Sequence, residues 1–264
     1  MVKIDFAFDQ ISNVKNIKEL SVVFYPDSFF YGLWDTDEQL VKSDHHSVSN
    51  FGKLISILNK TYKFKIVRLM STVKPFVHLP REEYEKKYYN EYFDGIYDVA
   101  KRKSSKKDID DFLREEISTL HFMDKSIVKV MQSSKALYKT AHISTALANY
   151  TFLIDTDLVS YIEEANIHIC YAKDGKFQMY NQYYCEQAED YLYYILYVMD
   201  HFNLDPQSDA VQIGGYITKD SPLMKLLKNY VKNLNIVDQH IKIPSKAKNP
   251  KQFYYDLYLC KSCV

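Results

Sequence analysis

A repeated order of elements at a fixed spacing constrains this chain more than any single motif does. Leu20 to Tyr25 is an apolar, β-branched run that predicts a strand, and Pro26-Asp27-Ser28 supplies turn residues after it. Phe29 to Trp34 predicts the returning strand and Leu40 to His46 a third. Phe51, Leu54, Ile55 and Leu58 then recur at helical spacing with Ser49 as the cap, and Phe64 to Met70 predicts another strand. The second half runs the same way. Ile167 to Tyr171 predicts a strand and Lys173-Asp174-Gly175-Lys176 a hairpin turn, because Asp-Gly tolerates the positive φ angles that turn needs. Phe177 to Tyr183 returns and bends into a third strand. Ala188, Leu192, Ile195, Met199 and Phe202 form one helical stripe behind an acidic first turn of Glu186, Glu189 and Asp190. Ala210 to Ile213 is a strand running into Gly214-Gly215. Ser221 caps a further helix with Pro222 at its first position and Leu223, Leu226, Leu227, Tyr230 and Val231 on its buried face. The opening strands start near 21 and 167, and the strands after the helices near 64 and 210, an offset of about 146 in both cases. The reading is an α/β chain of two related modules of mixed sheet with helices. The first occupies residues 1–150, with a helical insertion over about 75–120, and the second residues 151–264.

The stretch between the repeated parts is less regular. Pro75 to Pro80 reads as extended, Arg81 to Tyr97 as helical, Lys101 to Lys107 as a charged loop and Asp108 to Ile117 as a helix with an acidic start. Ser126 to Met131 predicts a strand, followed by helical segments to about Glu164. A Lys/Pro-rich loop, Pro244 to Pro250, precedes a last aromatic segment, Phe253 to Cys260.

Composition excludes several classes. Lys plus Arg equals Asp plus Glu, 34 against 34, so no long-range field gathers phosphates and a general nucleic-acid binder is disfavoured. Only six glycines are present, which weighs against loops that cradle a nucleotide. The most apolar run, Tyr191 to Met199, is too short to span a bilayer and is bounded by Asp190 and Asp200. No secretory apolar core follows Met1, and four cysteines make no disulfide framework at this length. The expectation is a cytoplasmic protein without membrane insertion. Twenty-four tyrosines against one tryptophan reflect either codon bias or an aromatic binding surface.

Two tandem modules of hairpin, helix, strand and helix resemble the duplicated ribonuclease-H-like fold of actin-type ATPases. Asn166 to Asn181, Ala188 to Tyr194 and Val211 to Gly215 resemble an uncharacterised family, mainly of Bacteroidetes-type bacteria, whose members are described as having that fold. The similarity is best from about 166 to 235. The type IV pilus assembly actin-like ATPase is a distant comparison. The resemblance implies a fold and not an activity.

It also implies where a nucleotide would sit. Actin-type proteins use an Asp-x-Gly loop in the leading hairpin of each half, and a Gly-Gly after a strand against adenosine. Here the first hairpin offers Tyr25-Pro26-Asp27-Ser28-Phe29-Phe30, with Asp27 but no glycine. The second falls at Ala172 to Lys176, an ordinary two-residue turn. Gly214 and Gly215 match the third loop, as a vestigial adenosine site or as a tight turn. Cys260 and Cys263 lack the co-ligands of a zinc site. Asp44-His45-His46 cannot converge on one ion, since neighbouring strand residues face opposite ways. Asp27 and Asp35 are too few for a nuclease metal centre. The acidic pairs Asp110-Asp111, Glu163-Glu164 and Glu189-Asp190 read as helix ends or exposed faces, and the remaining histidines carry no assigned chemistry. The expectation is a protein without catalytic residues, metal or cofactor, working as a scaffold or adaptor on an unidentified protein partner. The alternative is an atypical nucleotide-binding switch or ATPase using the cleft near Gly214-Gly215.

Overall fold

A computed structural model describes residues 7–98, 105–134, 136–154, 157–237, 241–243, 247 and 249–263. The chain divides into two compact units. One comprises Met1–Ala146, Lys242–Asn249 and Leu257–Val264; the other comprises Leu147–Ile241 and Pro250–Asp256.

In chain order the first unit contains β1 (Phe8–Asp9), β2 (Glu19–Phe24), β3 (Ser28–Trp34), β4 (Leu40–Ser47), α1 (Phe51–Thr61), β5 (Ile66–Ser71), β6 (Phe76–Pro80), β7 (Ser105–Asp111), β8 (Ile117–Asp124), α2 (Lys125–Ser134) and β9 (Tyr138–His142). Helix α3 (Ile143–Ile154) leads into the second unit, with β10 (Leu158–Glu163), β11 (Asn166–Lys173), β12 (Lys176–Tyr184), α4 (Ala188–His201), β13 (Ala210–Gly215), α5 (Pro222–Lys228) and β14 (Asn233–Ile236). Helix α6 (Tyr255–Cys263) closes the chain.

The duplication is visible in the sheets. The first runs β1-β4-β3-β2-β5-β9 and the second β12-β11-β10-β13-β14. Without the edge strand β1, the two have the same order and the same senses. The β2–β3 and β3–β4 pairs are antiparallel and β2–β5 and β5–β9 parallel; β10–β11, β11–β12, β10–β13 and β13–β14 repeat this. The phase of the repeat differs from the sequence reading. The strand at 167–171 is the counterpart of β3, not of the strand at 21–25, whose counterpart is β10. The offset of 146 therefore pairs the opening strands wrongly, while the strands after the helices, β5 and β13, do correspond. Strand β10 escapes a periodicity argument because all six of its residues are buried, so no polar alternation marks it.

Each unit has its own core. In the first, Leu20, Val22, Phe29, Leu33, Val67 and Leu69 of the sheet meet Phe51, Ile55 and Leu58 of α1 and Ile127, Val128 and Met131 of α2. In the second, Ile167, Ile169, Val211 and Ile213 meet Leu192, Ile195 and Met199 of α4 and Met224 and Leu227 of α5. Local signals hold well there. Asp174 and Gly175 have φ of 53° and 71°, as a two-residue hairpin requires. Gln187 and Asp190 form a capping box on α4, and the Ser221 hydroxyl accepts from Met224 N–H with Pro222 opening α5. Tyr230 is half exposed rather than part of the α5 core face.

Among the described residues, the segment from 75 to 120 contains no α-helix. Arg81 to Tyr97 forms three single turns of 3₁₀ helix, with Tyr89 and Phe93 buried on the β6-β8-β7 sheet in place of a continuous apolar stripe. Asp108 to Asp111 belongs to strand β7; its carboxylates meet partners across the sheet rather than a helix N-terminus. Conversely, Ser126 to Met131 lies in helix α2, started by the Asp124 carboxylate accepting from Ser126 N–H at 2.7 Å. Residues 101–104 of the charged run and 244–246 and 248 of the Lys/Pro-rich loop lie outside the described residues.

Candidate functional site

The topology relocates one of the positions a phosphate would need. The leading hairpin of the first unit is β2–β3, as expected. Tyr25 N–H donates to Ser28 O at 2.9 Å, closing the turn over Pro26 and Asp27, and Phe24, Phe29 and Phe30 on its flanks are buried. The Asp27 carbonyl is taken by Val48 N–H at 3.1 Å. The leading hairpin of the second unit is β10–β11, not the β11–β12 turn at 173–176. Its loop is Glu164-Ala165, without glycine. The Ala165 carbonyl accepts from Cys185 N–H at 2.8 Å, and Tyr191 Oη–H donates to the Glu164 carbonyl. Glu163 is neither exposed nor at a helix end: it is buried at the end of β10, 2.7 Å from His168 Nε2, whose Nδ1 lies 2.7 Å from Tyr180 Oη. Phosphate loops work by turning free backbone N–H groups toward anionic oxygen. Both hairpins lack glycine, and the second places two carboxylates beside its loop.

Gly214 and Gly215 have packing reasons of their own. A Cβ on Gly214 would lie 2.4 Å from Cδ1 of Tyr255, so the ring occupies the space above it. Gly215 has φ +90°, and a Cβ there would lie 2.1 Å from the Ile162 carbonyl oxygen. That carbonyl accepts from Tyr216 N–H at 3.0 Å, and Ile217 N–H donates to Gly215 O at 2.8 Å, so the pair ends β13 in a tight turn.

The structure also assembles a polar cluster from residues that are scattered in sequence. His78 on β6, Asp108 and Asp110 on β7, His121 on β8, His142 on β9 and Ser144 on α3 converge within the first unit. His121 Nε2 lies 2.8 Å from Asp110 Oδ1. His142 Nδ1 accepts from Ser144 N–H at 3.2 Å, so it is unprotonated. The Ser144 hydroxyl then donates to it at 2.8 Å and accepts from His78 Nε2–H at 2.9 Å. Thr119 and Thr145 hydroxyls meet at 2.6 Å beside it. Burial lowers the His78 pKa to about 3, which keeps the ring neutral. Burial would likewise lower His121, but the charge and hydrogen bond of Asp110 outweigh it and raise the value, while burial raises Asp110 itself. The pair therefore holds a proton tightly. Asp108 Oδ2, Asp110 Oδ2 and His121 Nδ1 are buried without a hydrogen-bond partner among the described residues. A serine between two histidines is the material of acyl-transfer chemistry, yet Ser144, His142 and His121 are each 0% exposed, and a substrate has no approach to them. The cluster ties the β6-β8-β7 sheet to the start of α3.

The other sequence candidates fall apart spatially. His45 and His46 alternate on β4, His46 pairing with Asp44 at 3.2 Å. Cys260 is buried in the first unit, its thiol 3.5 Å from Arg68 O and 3.7 Å from Val22 O. The Cys263 side chain lies outside the described residues. No group of three His, Cys, Asp or Glu with metal-binding geometry occurs among the described residues.

Residues 11–234 match the family model described as "Protein of unknown function (DUF3822)". No curated protein matches. The chain is similar to a solved Bacteroides thetaiotaomicron protein with actin-like ATPase fold and unknown function, at 20% identity, covering 99% of this chain and 100% of that one with a TM-score of 0.70. It is also similar to a chain of the PilM-PilN type IV pilus biogenesis complex, at 8% identity over 93% and 98% of the chains with a TM-score of 0.58. Ethanolamine utilization protein EutJ from Carboxydothermus hydrogenoformans matches at 9% identity over 93% and 89%, TM-score 0.52. The chain has the duplicated ribonuclease-H-like, actin-type fold that its sheet orders describe. No helix among the described residues is long and apolar enough to cross a membrane.

Proposed function

This chain belongs to the DUF3822 family, and we propose that it is a nucleotide-free actin-like protein that works as a non-catalytic scaffold or adaptor through protein–protein contacts. The observation that carries this reading is the state of the two leading hairpins. Where the fold would hold phosphates, this chain has Pro26-Asp27 under buried phenylalanines and Glu164-Ala165 beside the Glu163 carboxylate. Tyr255 and the Ile162 carbonyl fill the space a ligand would need at Gly214 and Gly215, so the vestigial adenosine loop is a structural turn in this reading. The PilM-PilN structure supports the adaptor half, since a protein of this fold there takes part in a complex. Exposed aromatic side chains support it too: Tyr184, Tyr193 and Tyr197 stand 49 to 63% exposed around α4. Buried thiols that form no disulfide, at Cys170, Cys185 and Cys260, fit a cytoplasmic location.

The test is ligand linkage. A nucleotide at 100 times its dissociation constant stabilises a fold by about 2.7 kcal/mol, which moves the melting temperature by about 5–10 °C for a chain of this size. Millimolar Mg-ATP, Mg-ADP or Mg-GTP is expected to produce no shift. A reproducible shift with any of them overturns the nucleotide-free reading in favour of a switch.

A further inference from the structure

We propose that the groove between α1 and α2 receives helix α4 of a second copy of this chain. The inference does not depend on whether the fold binds nucleotide. The groove encloses about 630 Å³ within the first unit. Its floor is Ile55 and Val130, and its walls are short: Gly52, Ser56 and Ser133 leave it open. Its charge is one-sided. Neither helix carries an acidic side chain, while Lys53 and Lys60 stand on α1 and Lys125 and Lys129 on α2. Asp124, just before α2, spends its carboxylate on the N–H and hydroxyl of Ser126. No ion pair among the described residues engages Lys53, Lys60 or Lys129. In a chain of zero net charge, Lys53, Lys60 and Lys129 thus form a local positive surface.

The complement lies on α4, the element that occupies α1's place in the second unit. Its outer stripe is Glu189, Tyr193, Tyr197 and Asp200, and the helix contains no Lys or Arg. Tyr193 and Tyr197 are 60% and 49% exposed, and their rings stack 6.1 Å apart. The two tyrosines are one helical turn apart, about 6 Å, and the flanking carboxylates span about 16 Å of helix. Each part has a counterpart in the groove. The rings can lie on Ile55 and Val130, the phenol hydroxyls reach Ser56 and Ser133, and the carboxylates meet Lys60 and Lys129. Tyrosine brings large apolar area at low entropy cost and a polar tip that such a wall can satisfy. Because groove and helix are different surfaces, each bound copy leaves one of each free, and association continues beyond a pair unless a ring closes.

Sedimentation velocity on the full chain tests this, from micromolar to several hundred micromolar, at about 0.05 M and about 0.5 M salt. The average mass is expected to rise with concentration at low salt and to fall back to that of one chain at high salt. Tyr193→Ala with Tyr197→Ala weakens association about tenfold or more. Lys60→Glu with Lys129→Glu is monomeric alone, as is Glu189→Lys with Asp200→Lys. Mixing these two restores association as alternating, equimolar assemblies, because the reversed groove meets the reversed helix and the unaltered groove meets the unaltered helix. A wild-type chain that stays monomeric throughout, or association that survives in both reversed variants, overturns the proposal.

Discussion

Replacing Gly215 by alanine separates a structural turn from an emptied ligand loop. Gly215 has φ +90°, where a residue with a Cβ is strained by on the order of 1–3 kcal/mol. The new Cβ would also stand 2.1 Å from Ile162 O, a main-chain atom in the adjacent strand that has no rotamer to escape into. Moving it apart breaks the 3.0 Å bond from Tyr216 N–H, a further loss of about 1 kcal/mol. The expected total is about 2–4 kcal/mol, a large part of the 5–15 kcal/mol that holds a typical domain. Gly175→Ala is the control. Gly175 has φ +71°, and a Cβ added there would meet nothing within 4 Å, so only the dihedral cost of about 1–2 kcal/mol applies. Urea titrations followed by circular dichroism compare the two midpoints. Equal losses in the two variants would refute the clash with Ile162, and with it the claim that β13 needs this glycine for the turn itself.

Other outcomes are equally direct. The His78 pKa of about 3 lies below the unfolded value near 6.5, so the unfolded chain takes up a proton that the folded one refuses. Stability from this group is complete above about 6.5 and falls by up to about 1.4 kcal/mol per pH unit below it, toward pH 3. His121, raised, acts in the opposite sense, so the readout is the difference between wild type and His78→Gln, followed by fluorescence of the single, buried Trp34. An identical acid limb in both would reject the assignment. Cys170, Cys185 and Cys260 are buried, and burial pushes the Cys185 thiol up to about 12, so a thiol reagent should label these three only after denaturation. Mass mapping of the native protein checks it. Ser221→Ala removes a cap from α5 and should cost about 1 kcal/mol by thermal melting; no change would mean that Pro222 and packing suffice.

What could be read from sequence was local. The Asp174-Gly175 turn, the Ser221-Pro222 cap and the α1 and α4 stripes each rest on residues within a few positions of one another, and each forms as its pattern predicts. The failures share a cause in distant pairing. Strand β10 lies between β11 and β13 and is buried on both faces, so Leu158 to Glu163 shows no alternation, and missing it misplaces the opening strand and leading hairpin of the second half. Asp108 and Asp110 look like a helix start until β8 brings His121 opposite them. His78, His121, His142 and Ser144 stand on four elements, and only the register of β6 with β8 and the end of β9 brings them together. No spacing rule in one chain foretells that.

The division of the chain has a consequence for biosynthesis. Residues 257–263 of α6 belong with the unit made first. Gly32 has no room for a Cβ because Leu257 and Leu40 fill its place, Leu259 is buried, and the Cys260 thiol reaches the carbonyls of Val22 and Arg68. A nascent chain that has just finished β9 therefore carries a sheet face that waits for a helix not yet translated. At about 5–20 residues per second, that wait lasts on the order of ten seconds. During it strands β10 to β14 of the second unit can pair, with Pro250–Asp256 and the Tyr255 ring over Gly214 added only at its end. The sheet face over Gly32 is thus covered only once Leu257 to Cys260 have been made, after every strand of both sheets.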